Sequence, residues 1–145
     1  MKDSKVYRRV SIRGFAASPE AQALPAAIRY LWNVHLRGCA RRGVLCLITI
    51  SEYAELTNSR CHYCNAAPFN MTKMLRGTNI PYNGIDRVNN ARGYVRDNLV
   101  TCCKHCNAMK SALGRDAFVM HARRIVAHQS GLGDLPPLVE QPALD

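Results

Sequence analysis

Two Cys-x-x-Cys pairs constrain this chain more than any other feature: Cys61-His62-Tyr63-Cys64 and Cys103-Lys104-His105-Cys106. Two close pairs far apart in sequence suit a tetrahedral Cys₄ site, in which one zinc ion pins distant segments together. In a domain this small, such a site contributes about 10–16 kcal/mol of apparent folding free energy. Cys102 is an alternative to Cys103, but it would put three residues inside the second pair, so the two-residue spacing is preferred. His62 and His105 lie inside the pairs and are read as pointing away from the metal.

Seven cysteines cannot all pair, and the charged stretch 1–13 lacks the apolar core of a secretory signal. A reducing, intracellular and cytoplasmic setting with metal-bound thiolates is therefore expected. Cys39, Cys46 and Cys102 are left over and read as buried small hydrophobes. No stretch approaches the roughly 20 apolar residues of a membrane span.

The 145 residues fit one domain and carry a formal charge of +10. That charge is uneven. No Lys or Arg follows Arg124, whereas Asp134, Glu140 and Asp145 lie in the tail. A basic body of this kind favours polyanions, nucleic acid first.

Residues 1–18 are basic and aperiodic, which predicts a flexible arm. Ser18-Pro19-Glu20 predicts a helix start, with Pro25 breaking and restarting the helix. Ile28, Leu31, Trp32, His35 and Cys39 recur at helical spacing, and Arg41-Arg42-Gly43 closes the run. A short strand is predicted over 44–48, then a helix opened by the capping box Thr49-Ile50-Ser51-Glu52. A loop over 66–80 follows the first cysteine pair. Strands over 85–88 and 99–102 form a hairpin with a long Asn/Gly-rich connection. Helices are predicted over 104–112 and from about 116 to 128, the last burying Phe118, Ala122, Ile125 and Val126 and turning Arg123 and Arg124 outward. The domain thus spans 19–128, and the acidic Pro/Gly-rich tail 129–145 is read as disordered.

Between and after the cysteine pairs stand Asp86-Arg87, Asn98, Asn107 and Lys110. In this order the chain resembles the HNH endonucleases of the ββα-metal superfamily, and compact phage-encoded versions most. The family pattern is Asp-His on the first strand, Asn before the second, then Cys-x-x-Cys followed by His or Asn, with Lys three residues on. The resemblance covers about residues 30–125, including the Arg42-Gly43 turn and the Thr-initiated helix before Cys61. It implies an α+β fold: a ββα-metal core stapled by the Cys₄ zinc site, with flanking N- and C-terminal helices. It also implies that Asp86 and Asn107 hold a catalytic Mg²⁺ or Mn²⁺ through oxygen ligands, which stabilises charge on the phosphorane and the leaving 3′-oxygen. Asn98 takes the family's central position, tying the loop to the hairpin.

Arg87 departs from the pattern. The family histidine takes a proton from the attacking water, a task suited to a group with a pKa near about 6.5. A guanidinium stays protonated at neutral pH, so the role the resemblance leaves for Arg87 is a bidentate clamp on the scissile phosphate. Water activation then falls to another group, with Tyr82, Tyr94, His62 and His105 as candidates and a metal-bound hydroxide or a second phosphate as alternatives; the two tyrosines suit packing or stacking equally.

The function implied is hydrolysis of DNA phosphodiesters by nicking or low-specificity cutting, with RNA left open as a substrate. Arg92, Arg96, Lys104, Lys110 and Arg115 are the expected phosphate contacts. The alternative is a catalytically inactive, zinc-dependent nucleic-acid-binding module of the same fold, in which Arg87 marks lost catalysis. A third reading is a zinc-stapled protein-interaction or virion component.

Overall fold

The computed structural model describes residues 19–74 and 76–131. The predicted arm, and the tail beyond Gly131, lie outside the described residues. Two helices open the fold, α1 (Pro19–Ala23) and α2 (Ala26–Arg42), with Pro25 at the break between them. Proline has no N–H and fixes φ, so it ends one helix yet serves well at the start of the next. Along α2, Ile28, Leu31, Trp32 and Cys39 are buried, as their spacing predicts, with Ala27 buried beside them and His35 half-buried. Gly43 at φ 65° and ψ 26° ends the helix, Val44 N donating to Cys39 O at 3.0 Å. That left-handed conformation suits glycine, which has no Cβ to clash.

Helix α3 (Ile50–Asn58) begins with the predicted capping box: Thr49 N donates to Glu52 Oε2 at 2.8 Å, and Glu52 N to Thr49 Oγ1 at 3.2 Å. Two orphan helix-end donors are thereby satisfied reciprocally. The expected loop over 66–80 holds more order than its composition suggests. Strands β1 (Asn70–Met71) and β2 (Pro81–Tyr82) pair antiparallel. Beyond them Ile80 N donates to Thr72 Oγ1 at 2.9 Å, and Met74 N to Asn79 Oδ1 at 3.0 Å.

The predicted hairpin is present as β3 (Gly84–Arg87) and β4 (Leu99–Cys102), with Asp86 opposite Val100 and Arg87 opposite Leu99. A 3₁₀ turn (Arg96–Asn98) leads into β4. Helices α4 (Lys104–Lys110) and α5 (Arg115–Gln129) complete the described chain. Among the described residues, no helix is long and apolar enough to cross a membrane.

Side chains alternate across a strand, and the hairpin's two faces serve different cores. Leu99 joins Ile28, Leu31, Trp32, Ile48, Ile50, Tyr53 and Leu56 in a helical core, against which Ile85 and Tyr94 pack. Thr101 shares that face and donates from Oγ1 to Leu56 O at 2.7 Å. On the opposite face Cys102 joins Cys61, Cys103, Cys106 and Phe118 in a second, smaller core.

Two expectations need correction. Residues 44–48 form no named strand: Cys46 makes an isolated parallel bridge to Tyr94, through Tyr94 N to Leu45 O at 2.7 Å and Leu47 N to Tyr94 O at 2.9 Å. The hairpin loop offers only a short extended partner here before the 3₁₀ turn begins. On α5, Phe118 is buried as expected and Ala122 half-buried, but Ile125 and Val126 are 45% and 60% exposed, and Ala127 is buried instead. Arg123 is exposed, whereas Arg124 is half-buried. The helix is buried at its first turn, where Phe118 joins the second core and its ring lies 5.3 Å from that of Tyr63.

Gly93 is required by that bridge, since a Cβ there would lie 2.6 Å from Leu45 O. Gly93→Ala is therefore expected to destabilise the fold by about 1–3 kcal/mol through backbone displacement. Urea unfolding measures this, and an unchanged midpoint would show that the bridge is not held in solution.

Candidate nuclease centre

The first cysteine pair forms a knuckle closed by Cys61 N donating to Ala66 O and Asn65 N to Cys61 O, each at 2.9 Å. Asn65 takes the left-handed backbone at φ 59° that such a tight reversal needs. His62 N donates to Thr101 O at 2.9 Å, so the knuckle is sewn to β4. The second pair starts α4: Cys103 is the N-cap residue and its Sγ accepts from Cys106 N at 3.4 Å.

The sulfurs of Cys61, Cys64, Cys103 and Cys106 all lie within 4.8 Å of one another, with Cys64 and Cys103 3.7 Å apart. A tetrahedron with metal–sulfur bonds of about 2.3 Å has edges of about 3.8 Å, so the cluster is able to hold a metal of that kind. Burial alone would raise the Cys61 thiol, but backbone N–H groups of Cys103, Cys64 and Tyr63 outweigh it and bring it down to about 7. His62 and His105 are outside the group, as expected. His62 packs edge-on to Tyr63, and His105 lies against Phe69. Cys102 is fully buried beside the four and is not one of them.

Asp86 sits on the same face of the hairpin as this cluster and is 6% exposed. Its carboxylate accepts from Tyr63 Oη at 2.8 Å and pairs with Lys110 Nζ at 3.2 Å. Lys110 also donates to Arg87 O at 3.3 Å and is wholly buried. This corrects the expectation that Lys110 is a surface phosphate contact: its side chain is buried and its ammonium is spent on Asp86. Asn107 is exposed on α4, one turn before Lys110 and therefore on a neighbouring part of the helix surface.

Asn98, at the end of the connection, is bonded back to it three times. Asn89 N donates to its Oδ1 at 2.9 Å, and its Nδ2 donates to Asn89 O and Gly93 O at 3.0 Å each. Arg87 joins the same framework, Nη1 donating to Asn90 O at 2.9 Å and Arg92 O at 2.8 Å, with its guanidinium 5.3 Å from the Tyr94 ring centre. Tyr82 and Tyr94 pack against the helical core. Arg92 is paired with Asp97 at 2.7 Å, Arg96 with Glu55 at 3.4 Å and Arg115 with Asp116 at 3.0 Å, while Lys104 lies over Phe69.

Sequence reasoning missed two contributors. Asn83, wholly buried, donates from Nδ2 to Ser59 O and Ala66 O, joining the start of β3 to the first knuckle. Tyr63 is the other; its place inside Cys-x-x-Cys was the available signal. Burial first, and then the Asp86 carboxylate, push its phenol above the usual range.

Two predictions follow from this centre. Lys110→Ala leaves the Asp86 carboxylate buried without its cation and is expected to cost about 3–5 kcal/mol in denaturant unfolding; a cost below about 1 kcal/mol would mean that the pair is open to water. Raising the Tyr63 pKa in the folded state favours the native state below the unfolded phenol pKa near about 10, and that stability is lost as pH rises beyond it. Tyr63→Phe should therefore flatten the alkaline decline in unfolding free energy.

No family model matches the chain. Over 79 residues, 54% of this chain, it is 37% identical to the uncharacterised protein R423 of Acanthamoeba polyphaga mimivirus, and the match spans 13% of that protein's length. Among solved structures it is similar to the rare-cutting HNH restriction endonuclease PacI, with a TM-score of 0.52, 19% identity, and coverage of 91% of this chain and 97% of the other. At that identity the likeness concerns the fold, and together with the cysteine cluster it gives the chain an HNH-like α+β fold built around a potential metal site.

Proposed function

We propose that this protein is a metal-dependent endonuclease acting on DNA, its fold stapled by Zn²⁺ at Cys61, Cys64, Cys103 and Cys106. The observation that carries the reading is the placement of Asp86 against α4, the helix that presents Asn107 one turn from Lys110. Asp86 and Asn107 would hold Mg²⁺ or Mn²⁺, hard ions that take carboxylate and amide oxygens. When bound, such an ion supplies Lewis-acid stabilisation of charge at the phosphate and the leaving oxygen.

The chain's own residues divide the remaining work. Asn98 and Arg87 hold the connection between the strands in one shape, and Arg87 keeps a positive charge beside the hairpin for the phosphate. A guanidinium does not take a proton from water at neutral pH. Tyr63 is no better as a base, because its environment favours the protonated phenol. Arg92, Arg96, Lys104 and Arg115 serve as backbone contacts. The ion pairs of Arg92, Arg96 and Arg115 are exposed and worth about 0–1 kcal/mol, so phosphate oxygens can replace their carboxylates. Lys110 acts instead as the charge partner of Asp86. Contacts of this kind position a duplex without reading its sequence, which favours nicking or low-specificity cutting.

One observation favours a second reading, a zinc-dependent nucleic-acid-binding module without turnover: the Asp86 carboxylate is already engaged by Tyr63 and Lys110. Plasmid nicking in Mg²⁺ or Mn²⁺ separates the two. Asn107→Ala is the cleaner variant, because Asn107 is exposed while Asp86 is built into a buried pair. The expected result is metal-dependent breakage that falls on the order of a hundred-fold in Asn107→Ala and in Asp86→Asn, with the melting temperature of Asn107→Ala unchanged. Tight, salt-sensitive binding without breakage in either metal would establish the binding module.

A further inference from the structure

A second group of soft donors lies on the other side of the hairpin, facing the helical core. His35 and Cys39 are four residues apart on α2 and share one face of it. Past the left-handed turn at Gly43 the chain doubles back and brings Cys46 to the same place. His35 Nε2 lies 3.4 Å from Cys39 Sγ and 3.7 Å from Cys46 Sγ, and all three donor atoms fall within 4.8 Å of one another.

These separations match a coordination sphere. With zinc–sulfur and zinc–imidazole bonds of about 2.3 and 2.05 Å, the sulfur–nitrogen edge of a tetrahedron is about 3.6 Å. The donor types agree as well, since thiolate and imidazole select zinc over the hard cations. Ring packing fixes His35 from several sides. Trp32 stacks on it at 5.8 Å, Tyr53 lies 5.1 Å away, and Tyr94 meets it edge-on at 4.5 Å. Cys39 is buried, whereas His35 and Cys46 are half-buried, which leaves one side of the group toward solvent.

We propose that His35, Cys39 and Cys46 form a second zinc site, with Nε2 and two thiolates as ligands and solvent in the fourth position. The site joins the end of α2 to the segment that bridges Tyr94, whose ring lies under the Arg87 guanidinium. Occupancy at this site therefore stiffens the hairpin connection from the side opposite the Cys₄ cluster. The inference does not depend on nuclease activity.

The test is the zinc content of the full chain, loaded with zinc under reducing conditions, dialysed, and weighed by native mass spectrometry. Two zinc ions per chain are expected, falling to one in Cys46→Ser and in His35→Asn, with the helical circular dichroism retained. Cadmium-113 resonance on the unsubstituted chain reads the same point without a variant: two signals are expected, one from all-sulfur ligation and one displaced by nitrogen. One zinc per chain, a single all-sulfur cadmium signal, or a Cys39–Cys46 disulfide in the loaded protein would overturn the site. So would two zinc ions persisting in both folded variants.

Discussion

Four cysteine sulfurs drawn from two distant segments converge within 4.8 Å, and the arrangement around Asp86 depends on that closure. The core beside them is small, with Phe118 as its one large buried apolar side chain among the described residues. Apolar burial contributes about 1.5–3 kcal/mol for a side chain of this size, too little to order two knuckles and a seven-residue helix. A metal held by four thiolates supplies folding free energy on a larger scale. The hydrogen bond from His62 N to Thr101 O then carries that closure into the hairpin.

The hairpin divides its labour by pleat. One face gives Leu99 and Thr101 to the helical core, which anchors β4 against α3. The other presents Asp86 toward α4 and the cysteines. A one-residue slip in register would exchange these faces, burying Arg87 where Asp86 now sits. Asn98, with three hydrogen bonds to the connection, and the Cys46–Tyr94 bridge both act against such a slip.

What was legible in the sequence was local or obeyed a simple period. The Thr49 capping box, the glycine stop at Gly43, β4 and the start of α4 each rest on residues within one or two turns of one another. The Cys₄ group was legible because metal spacing is a strong constraint even across a long separation. Lys110 was misread because lysine is ordinarily exposed, and its partner Asp86 stands twenty-four residues earlier. Tyr63, Asn83 and the Cys46–Tyr94 bridge were hidden for the same reason: their partners are set by tertiary packing. Cys39 and Cys46 were read as inert fillers, since nothing in their spacing foretold that Gly43 would return the chain to His35. The engagement of Arg87 with the loop carbonyls of Asn90 and Arg92 was equally hidden, since the turn that brings them to its guanidinium is set by the fold.

Helix α4 has only seven residues, too few to persist alone in water. Its start is capped by the Cys103 sulfur, which accepts from Cys106 N, and its last turn is tied down by the Lys110 ammonium on Asp86. It resembles a short beam resting on two supports. The bearing of Asn107, midway along that beam, is thus set by groups buried beneath it. The outer surface of α4 is correspondingly free to vary in sequence without redirecting Asn107.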